Sequence, residues 1–174
     1  LEFPPMAKLI SKMTTKSETT AQLDELDRKI LVALQEDATR PLDELAVLVG
    51  STRTPVWNRI KRLKASGVIK RQVAVIDPES VGLDACFFVF IRTSEHDASW
   101  LQRFLEAVQN SPAVIEAHRL AGEIDYILKV RVPNPRAYDA FYRELISHVK
   151  IFSVTSTLSM EEIKSGEVLP IAME

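Results

Sequence analysis

Asn58 and Lys61 stand three positions apart in the run "TRTPVWNRIKRLKASGVIKR", residues 52–71, and at helical periodicity they share a side with Thr54. An asparagine amide can pair bidentately with adenine and a lysine ammonium can donate to guanine, so this side holds residue types that read base edges. Arg59, Arg62, Lys64, Lys70 and Arg71 supply cations suited to phosphate oxygens, which fix register without reading sequence. Thr52 and Arg53 lead into the run. Trp57 lies on its flank, where an indole can pack at an edge or touch a sugar or a thymine methyl.

The surroundings of these residues sharpen the reading. From Ser51 to Ile76 there is no Asp or Glu, although the segment holds 7 of the 22 Lys and Arg. The whole chain has a net charge of −2, so the remainder carries 15 − 24 = −9. A carboxylate beside a duplex is repelled by phosphates, whereas each Lys or Arg displaces condensed counterions. Other chemistry is absent from the pattern: there is no nucleophile–base pair, no phosphate-cradling glycine loop and no Cys/His metal cluster. His96, His118 and His148 fall in three different elements without ligand spacing. No catalytic residue, metal or cofactor is expected.

The elements that must position the basic run follow from apolar spacing. Leu23, Leu26, Ile30 and Leu34 predict a first helix to about Asp37, with Asp24 as its cap and Asp27 in its first turn. A second helix follows Pro41, carries Leu42, Leu45, Ala46 and Leu48 or Val49 on one side, and stops at Gly50. After a very short connection, Val56, Ile60 and Leu63 form the buried stripe of a third helix that starts at Thr52 or Thr54 and ends at Gly67. "VIKRQVAVID" then alternates like a short hairpin. Three helices, a tight turn and a basic β segment make a winged helix-turn-helix over residues 23–75.

Residues 76–83 read as a linker, with Pro78 and Gly82. Beyond it, 84–174 show strand, helix, strand, strand, helix, strand: "DACFFVFIRT", a helix with Trp100, Leu101, Phe104, Leu105 and Val108, "VIEAHRL", "IDYILKVRV", a helix from Asn134 and Pro135, and a long "IFSVTSTLSMEEI". This is the ferredoxin-like βαββαβ order, with both helices on one side of an antiparallel sheet. The fold class is therefore α+β. The first strand is apolar toward both faces, with Ala85, Phe87, Val89 and Ile91 on one and Cys86, Phe88 and Phe90 on the other. The sheet face without helices is expected to be covered by a second copy, giving a homodimer built sheet to sheet or edge to edge through residues 84–163.

The bulk numbers agree. A chain of 174 residues with 46% apolar and 26% charged residues suits two small globular domains. The single cysteine, Cys86, excludes a disulfide framework and is expected to be a buried, inert thiol in a reducing setting. No apolar run reaches membrane-spanning length and no secretory signal is evident, so a cytoplasmic location without membrane contact is expected. Residues 1–22 read as a disordered arm, with "LEFPP" a vector-derived scar.

Four segments, "LDELDRKILVALQED", "TPVWNRIKRLKASGVI", "HRLAGEIDYILKVRV" and "MEEIK", resemble the signatures of the Lrp/AsnC, or feast/famine, transcriptional regulators over residues 22–170. The resemblance implies a regulator that binds double-stranded DNA in a sequence-specific way, modulated by a small effector, usually an amino acid. It also implies dimers assembling into tetramers or octamers. By the same resemblance the effector site includes Leu120, Ala121, Gly122, Glu123 and Asp125, facing Ser153, Thr155 and Thr157. Glu123 or Asp125 could accept from an ammonium, and the open turn at Gly122 could offer amides to a carboxylate; equally, Gly122 could be a plain hairpin turn and Asp125 an exposed strand residue. "AGEIDY" and "LPI" are closer to the cysteine-responsive branch. Arg53 and Trp57 occupy positions that are small or aliphatic in many relatives, and His118 and Arg119 flank the turn. Two alternatives from other classes are an architectural DNA-compacting protein without effector and a siroheme decarboxylase-like enzyme; the intact basic helix and scattered histidines weigh against the latter.

Overall fold

The computed structural model describes residues 22–95, 97–165 and 168–172. The arm expected over 1–22, apart from Gln22, lies outside the described residues, as does His96. The chain forms two compact units: the described parts of Leu1–Ala74 with Ser165–Glu174, and Val75–Lys164.

The first unit is built from α1 (Glu25–Glu36), α2 (Leu42–Leu48) and α3 (Arg53–Ala65). Asp24 caps α1 through a reciprocal capping box: its carboxylate accepts from the Asp27 N–H at 2.9 Å, and the Asp27 carboxylate accepts from the Asp24 N–H at 3.2 Å. Ile30, Leu31 and Ala33 meet Leu45, Ala46 and Val49 and the expected stripe of Val56, Ile60 and Leu63 in one core. Gly50 and Gly67 take φ of 69° and 76°, left-handed conformations that end α2 and α3 without the steric cost a β-carbon brings.

Two features of this unit differ from expectation. Residues 68–77 are exposed or half-buried and form no strand, so the expected hairpin is absent. An isolated two-stranded ribbon is marginal in water, and this stretch has no Gly or Asn at its middle to close a tight turn. Side-chain bonds tie it down instead: Gln72 accepts from Lys64 Nζ at 2.7 Å and donates to the Ala38 carbonyl at 3.4 Å. Moreover, the C-terminal segment groups with this unit rather than with 84–164. Gln35 brackets Leu169, donating to its carbonyl at 3.2 Å and accepting from its N–H at 2.7 Å, while Arg28 donates to the Ala172 carbonyl at 3.0 Å. Ile171 packs against the three-helix core.

The second unit opens with a short 3-10 turn at Glu79–Val81 and then comprises β1 (Ala85–Arg92), α4 (Ala98–Asn110), β2 (Val114–Arg119), β3 (Tyr126–Val132), α5 (Pro135–His148) and β4 (Ser153–Leu158). The sheet is antiparallel in the order β2-β3-β1-β4, as the ferredoxin-like expectation requires. Asp97 and Asn134 cap α4 and α5 by accepting from Trp100 N and Ala137 N. Trp100, Phe104, Phe141 and Leu145 bury against Phe87, Val89, Ile91, Leu128 and Val130 on one sheet face. β4 is shorter than expected: its last bond to β1 is Ser159 N–H donating to the Cys86 carbonyl at 2.8 Å, and Met160 beyond it is exposed.

Candidate functional site

α3 turns Val56, Ile60 and Leu63 inward, which leaves Thr54, Trp57, Asn58 and Lys61 exposed along its other side. Their spacing of three, four and seven residues makes one stripe. Trp57 is 56% exposed. Among the described residues, Lys61, Lys70 and Arg71 enter no ion pair.

The other expected cations have partners inside the unit. Arg53 Nη1 lies 2.8 Å from Asp43 Oδ2 on α2. Arg59 contacts Asp24 and lies 3.2 Å from Asp27 Oδ2, and Arg62 reaches that same Asp27 oxygen. Asp27 is fully buried, so its charge depends on these two guanidinium groups and on the cap bond. The Asp27 N–H, followed by Arg59, holds the Asp24 carboxyl below its ordinary range, and Asp24 and Asp27 in turn raise Arg59. Arg59 and Arg62 thus bind the N-terminal turn of α1 to α3. Periodicity along α3 alone could not reveal this, although "LDELD" held the signal in its two carboxylates three residues apart.

The expected effector residues divide into two groups. Leu120, Ala121, Gly122 and Glu123 form the exposed connection from β2 to β3, closed by Leu120 N–H donating to the Asp125 carbonyl at 2.8 Å. Asp125 is engaged twice more: its N–H donates to the Ile91 carbonyl at 3.0 Å and its carboxylate accepts from Thr93 N–H at 2.8 Å. Ser153, Thr155 and Thr157 stand on β4, paired with Arg92, Phe90 and Phe88 of β1. Asp125 stands beside Ile91 of β1, whose other edge pairs with β4 at Val154, so the one strand β1 stands between Asp125 and Ser153.

The sheet face without helices carries Phe88, Phe90 and Ile127, all half-buried, with buried Cys86. Beside them Glu162 bridges Lys129 and Arg131, each at 3.3 Å, and Glu116 lies 3.5 Å from Lys129. Burial pulls the Lys129 ammonium downward, but Glu162 and Glu116 prevail and raise it. Among the described residues no group of His, Cys, Asp and Glu could hold a metal ion, and no helix is long and apolar enough to cross a membrane.

Comparison with known proteins matches residues 23–64 to the AsnC-type helix-turn-helix domain and 86–169 to the Lrp/AsnC ligand binding domain. The chain is 46% identical over 150 residues to a glutamate uptake regulatory protein of Zymomonas mobilis, covering 86% of this chain and 92% of that protein. It is 44% identical over 150 residues to the DNA-binding transcriptional activator DecR of Escherichia coli, covering 86% and 99%. The crystal structure of an AsnC family transcriptional regulator from Agrobacterium tumefaciens superposes with a TM-score of 0.82 at 47% identity, covering 85% of this chain and 97% of that one. A Neisseria meningitidis regulator solved with L-Met superposes with a TM-score of 0.81 at 30% identity, covering 86% and 97%. With both halves of the chain matched in order and the folds superposing, the protein belongs to the Lrp/AsnC family of transcriptional regulators.

Proposed function

We propose that the chain is a sequence-specific DNA-binding regulator whose α3 enters the major groove and whose second unit takes an amino acid as effector. The observation that carries the reading is the exposed stripe Thr54, Trp57, Asn58 and Lys61 on a helix without a single carboxylate, flanked by the unpaired Lys70 and Arg71. In this reading Asn58 and Lys61 contact base edges, while Thr52, Lys64, Lys70 and Arg71 hold phosphates. Arg59 and Arg62 act first as struts for α3 and only through their outer surfaces on DNA.

A second copy covers the Phe88, Phe90 and Ile127 face, because each large side chain left half-wet forgoes part of the roughly 1.5–3 kcal/mol that full burial yields. The resulting two-fold axis presents two α3 helices to a two-fold operator. A relative named as leucine-responsive and a neighbour solved with L-Met support an amino-acid effector, and relatives named for glutamate uptake and proline dehydrogenase fit a role in amino-acid metabolism. Leu120–Glu123 with Asp125 supply it with carboxylates and open amides. In this reading Ser153, Thr155 and Thr157 complete the site, which a neighbouring copy closes. A regulator of this kind works where the DNA is, in the cytoplasm.

The deciding experiment measures duplex binding by the full chain at several salt concentrations, with and without each of the twenty amino acids. For six to eight phosphate contacts per dimer, log K against log salt should slope by about −5 to −7. A flat salt dependence sinks the DNA reading. Firm duplex binding indifferent to every amino acid, with no thermal shift from any, favours an architectural role.

A further inference from the structure

Trp57 is the one large apolar side chain on the exposed stripe of α3, and it borders a hollow of about 420 Å3 lined by Leu42, Arg53, Thr54 and Trp57. The hollow opens where the first residues of α2 and α3 come together. Its chemistry is mixed in a specific way. Leu42 and the indole offer apolar surface, and Thr54 adds a methyl and a hydroxyl. The Arg53 guanidinium lies 2.8 Å from Asp43 Oδ2, so the charge of this lining residue is matched by a carboxylate on α2. Among the described residues the indole N–H has no hydrogen-bond partner, so it remains available as a donor.

We propose that this hollow is a seat for the 5-methyl group of thymine, making Trp57 a specificity-determining residue. The inference rests on the reading that α3 enters the major groove. Three arguments carry it. In that groove the only apolar group presented by any base pair is the thymine methyl, so an apolar seat among base-reading side chains has one complementary occupant. Trp57 precedes Asn58 directly and lies one turn from both Thr54 and Lys61, so it meets the base pairs its neighbours meet. The hollow also lies at the N-terminal end of α3, the part of a recognition helix that comes nearest the bases in helix-turn-helix complexes. A tryptophan that merely leaned on a sugar would need no hollow beside it and would bind every sequence alike.

The test uses the full chain and duplexes it selects from a random-sequence pool, with each thymine replaced in turn by deoxyuridine, which removes the methyl and nothing else. The expected result is a loss of about fourfold at one thymine per half-site, the worth of one methyl group taken out of water. Trp57→Ala should bind the parent duplex more weakly and no longer distinguish thymine from deoxyuridine at that position. Trp57→Phe, which keeps an aromatic face, should retain part of the distinction. The seat is refuted if no thymine responds, if the selected sequences place none within reach of α3, or if Trp57→Ala shows the same deoxyuridine penalty as the parent chain. Equal weakening of selected and random duplexes by Trp57→Ala, with the penalty intact, would mark a sugar contact instead. Loss of salt-dependent duplex binding altogether would remove the DNA reading itself, whereas normal binding without methyl sensitivity removes only the seat.

Discussion

Arg59 Nη1 lies 3.2 Å from Oδ2 of Asp27, a carboxylate that solvent does not reach. Arg62 approaches the same oxygen, so two side chains of the proposed reading helix converge on one anion in α1. Hydrogen bonds to charged groups contribute about 1.5–3 kcal/mol. Asp27→Ala is therefore expected to lower the unfolding free energy by about 3 kcal/mol in urea titrations. Lys70→Ala, at an exposed site without an ion pair, should change it by less than about 0.5 kcal/mol.

The same cluster sets an acid limit. The Asp24 carboxyl is held below its ordinary range, chiefly by the Asp27 N–H and then by Arg59, so the folded state favours its ionised form. Its contribution is complete above the unfolded aspartate value and is lost as pH falls through the lower, folded value. Thermal melts should show the first unit weakening below about pH 4, and Asp24→Asn should flatten that dependence. An identical acid profile in Asp24→Asn would remove Asp24 from the account.

Base readers and phosphate holders should separate by substitution. Asn58→Ala and Lys61→Ala are expected to weaken a selected duplex by about 1–3 kcal/mol each while changing random duplexes less. Lys70→Ala should weaken both alike and reduce the salt slope by about one. Equal losses on both duplexes for Asn58→Ala would leave it no reading role.

Asp125 has a structural duty that its sequence position did not disclose: its carboxylate accepts from Thr93 N–H at 2.8 Å. Removing it altogether disturbs the turn as well as any ligand. Asp125→Asn keeps an oxygen for Thr93 but loses the charge that would meet an ammonium. This variant is expected to retain its fold and basal duplex binding and to lose at least tenfold in amino-acid affinity by calorimetry, an effect of about 1.4 kcal/mol. Unchanged affinity would put the ammonium elsewhere.

Gln35 and Arg28 define a fifth expectation. Deleting the residues after Lys164 removes Ile171 from the first core and three hydrogen bonds from α1. The first unit should lose about 2–4 kcal/mol. The two tryptophans lie one in each unit, so in a Trp57→Phe background the Trp100 signal should unfold as before.

Helices were legible wherever a stripe and a stop signal coincided. Val56, Ile60 and Leu63 with Gly67, or Asn134 and Pro135 before Phe141 and Leu145, each fix an element within one chain segment. Alternation in "IDYILKVRV" likewise placed Tyr126, Leu128 and Val130 in the core. What escaped depends on partners distant in sequence. The wheel of α3 showed Arg62 on the polar side but not the α1 carboxylate facing it. Alternation from Val68 to Ile76 suggested a ribbon, yet among the described residues no neighbouring strand pairs with it. For the effector residues, the family pattern named the turn and the β4 hydroxyls together, and only the strand pairing shows that β1 stands between Asp125 and β4.

The bracket that Gln35 places around Leu169 has a bearing on the order in which the protein matures. During synthesis N-terminal domains ordinarily finish folding first. Here α1, α2 and α3 leave the ribosome early but lack Ile171 until the chain has grown past it, by which point every strand of the second unit has been made. A nascent chain halted before Leu169 would hold all the strands of the second unit and a first unit still open at α1, so the three-helix unit is finished after the sheet that follows it in sequence.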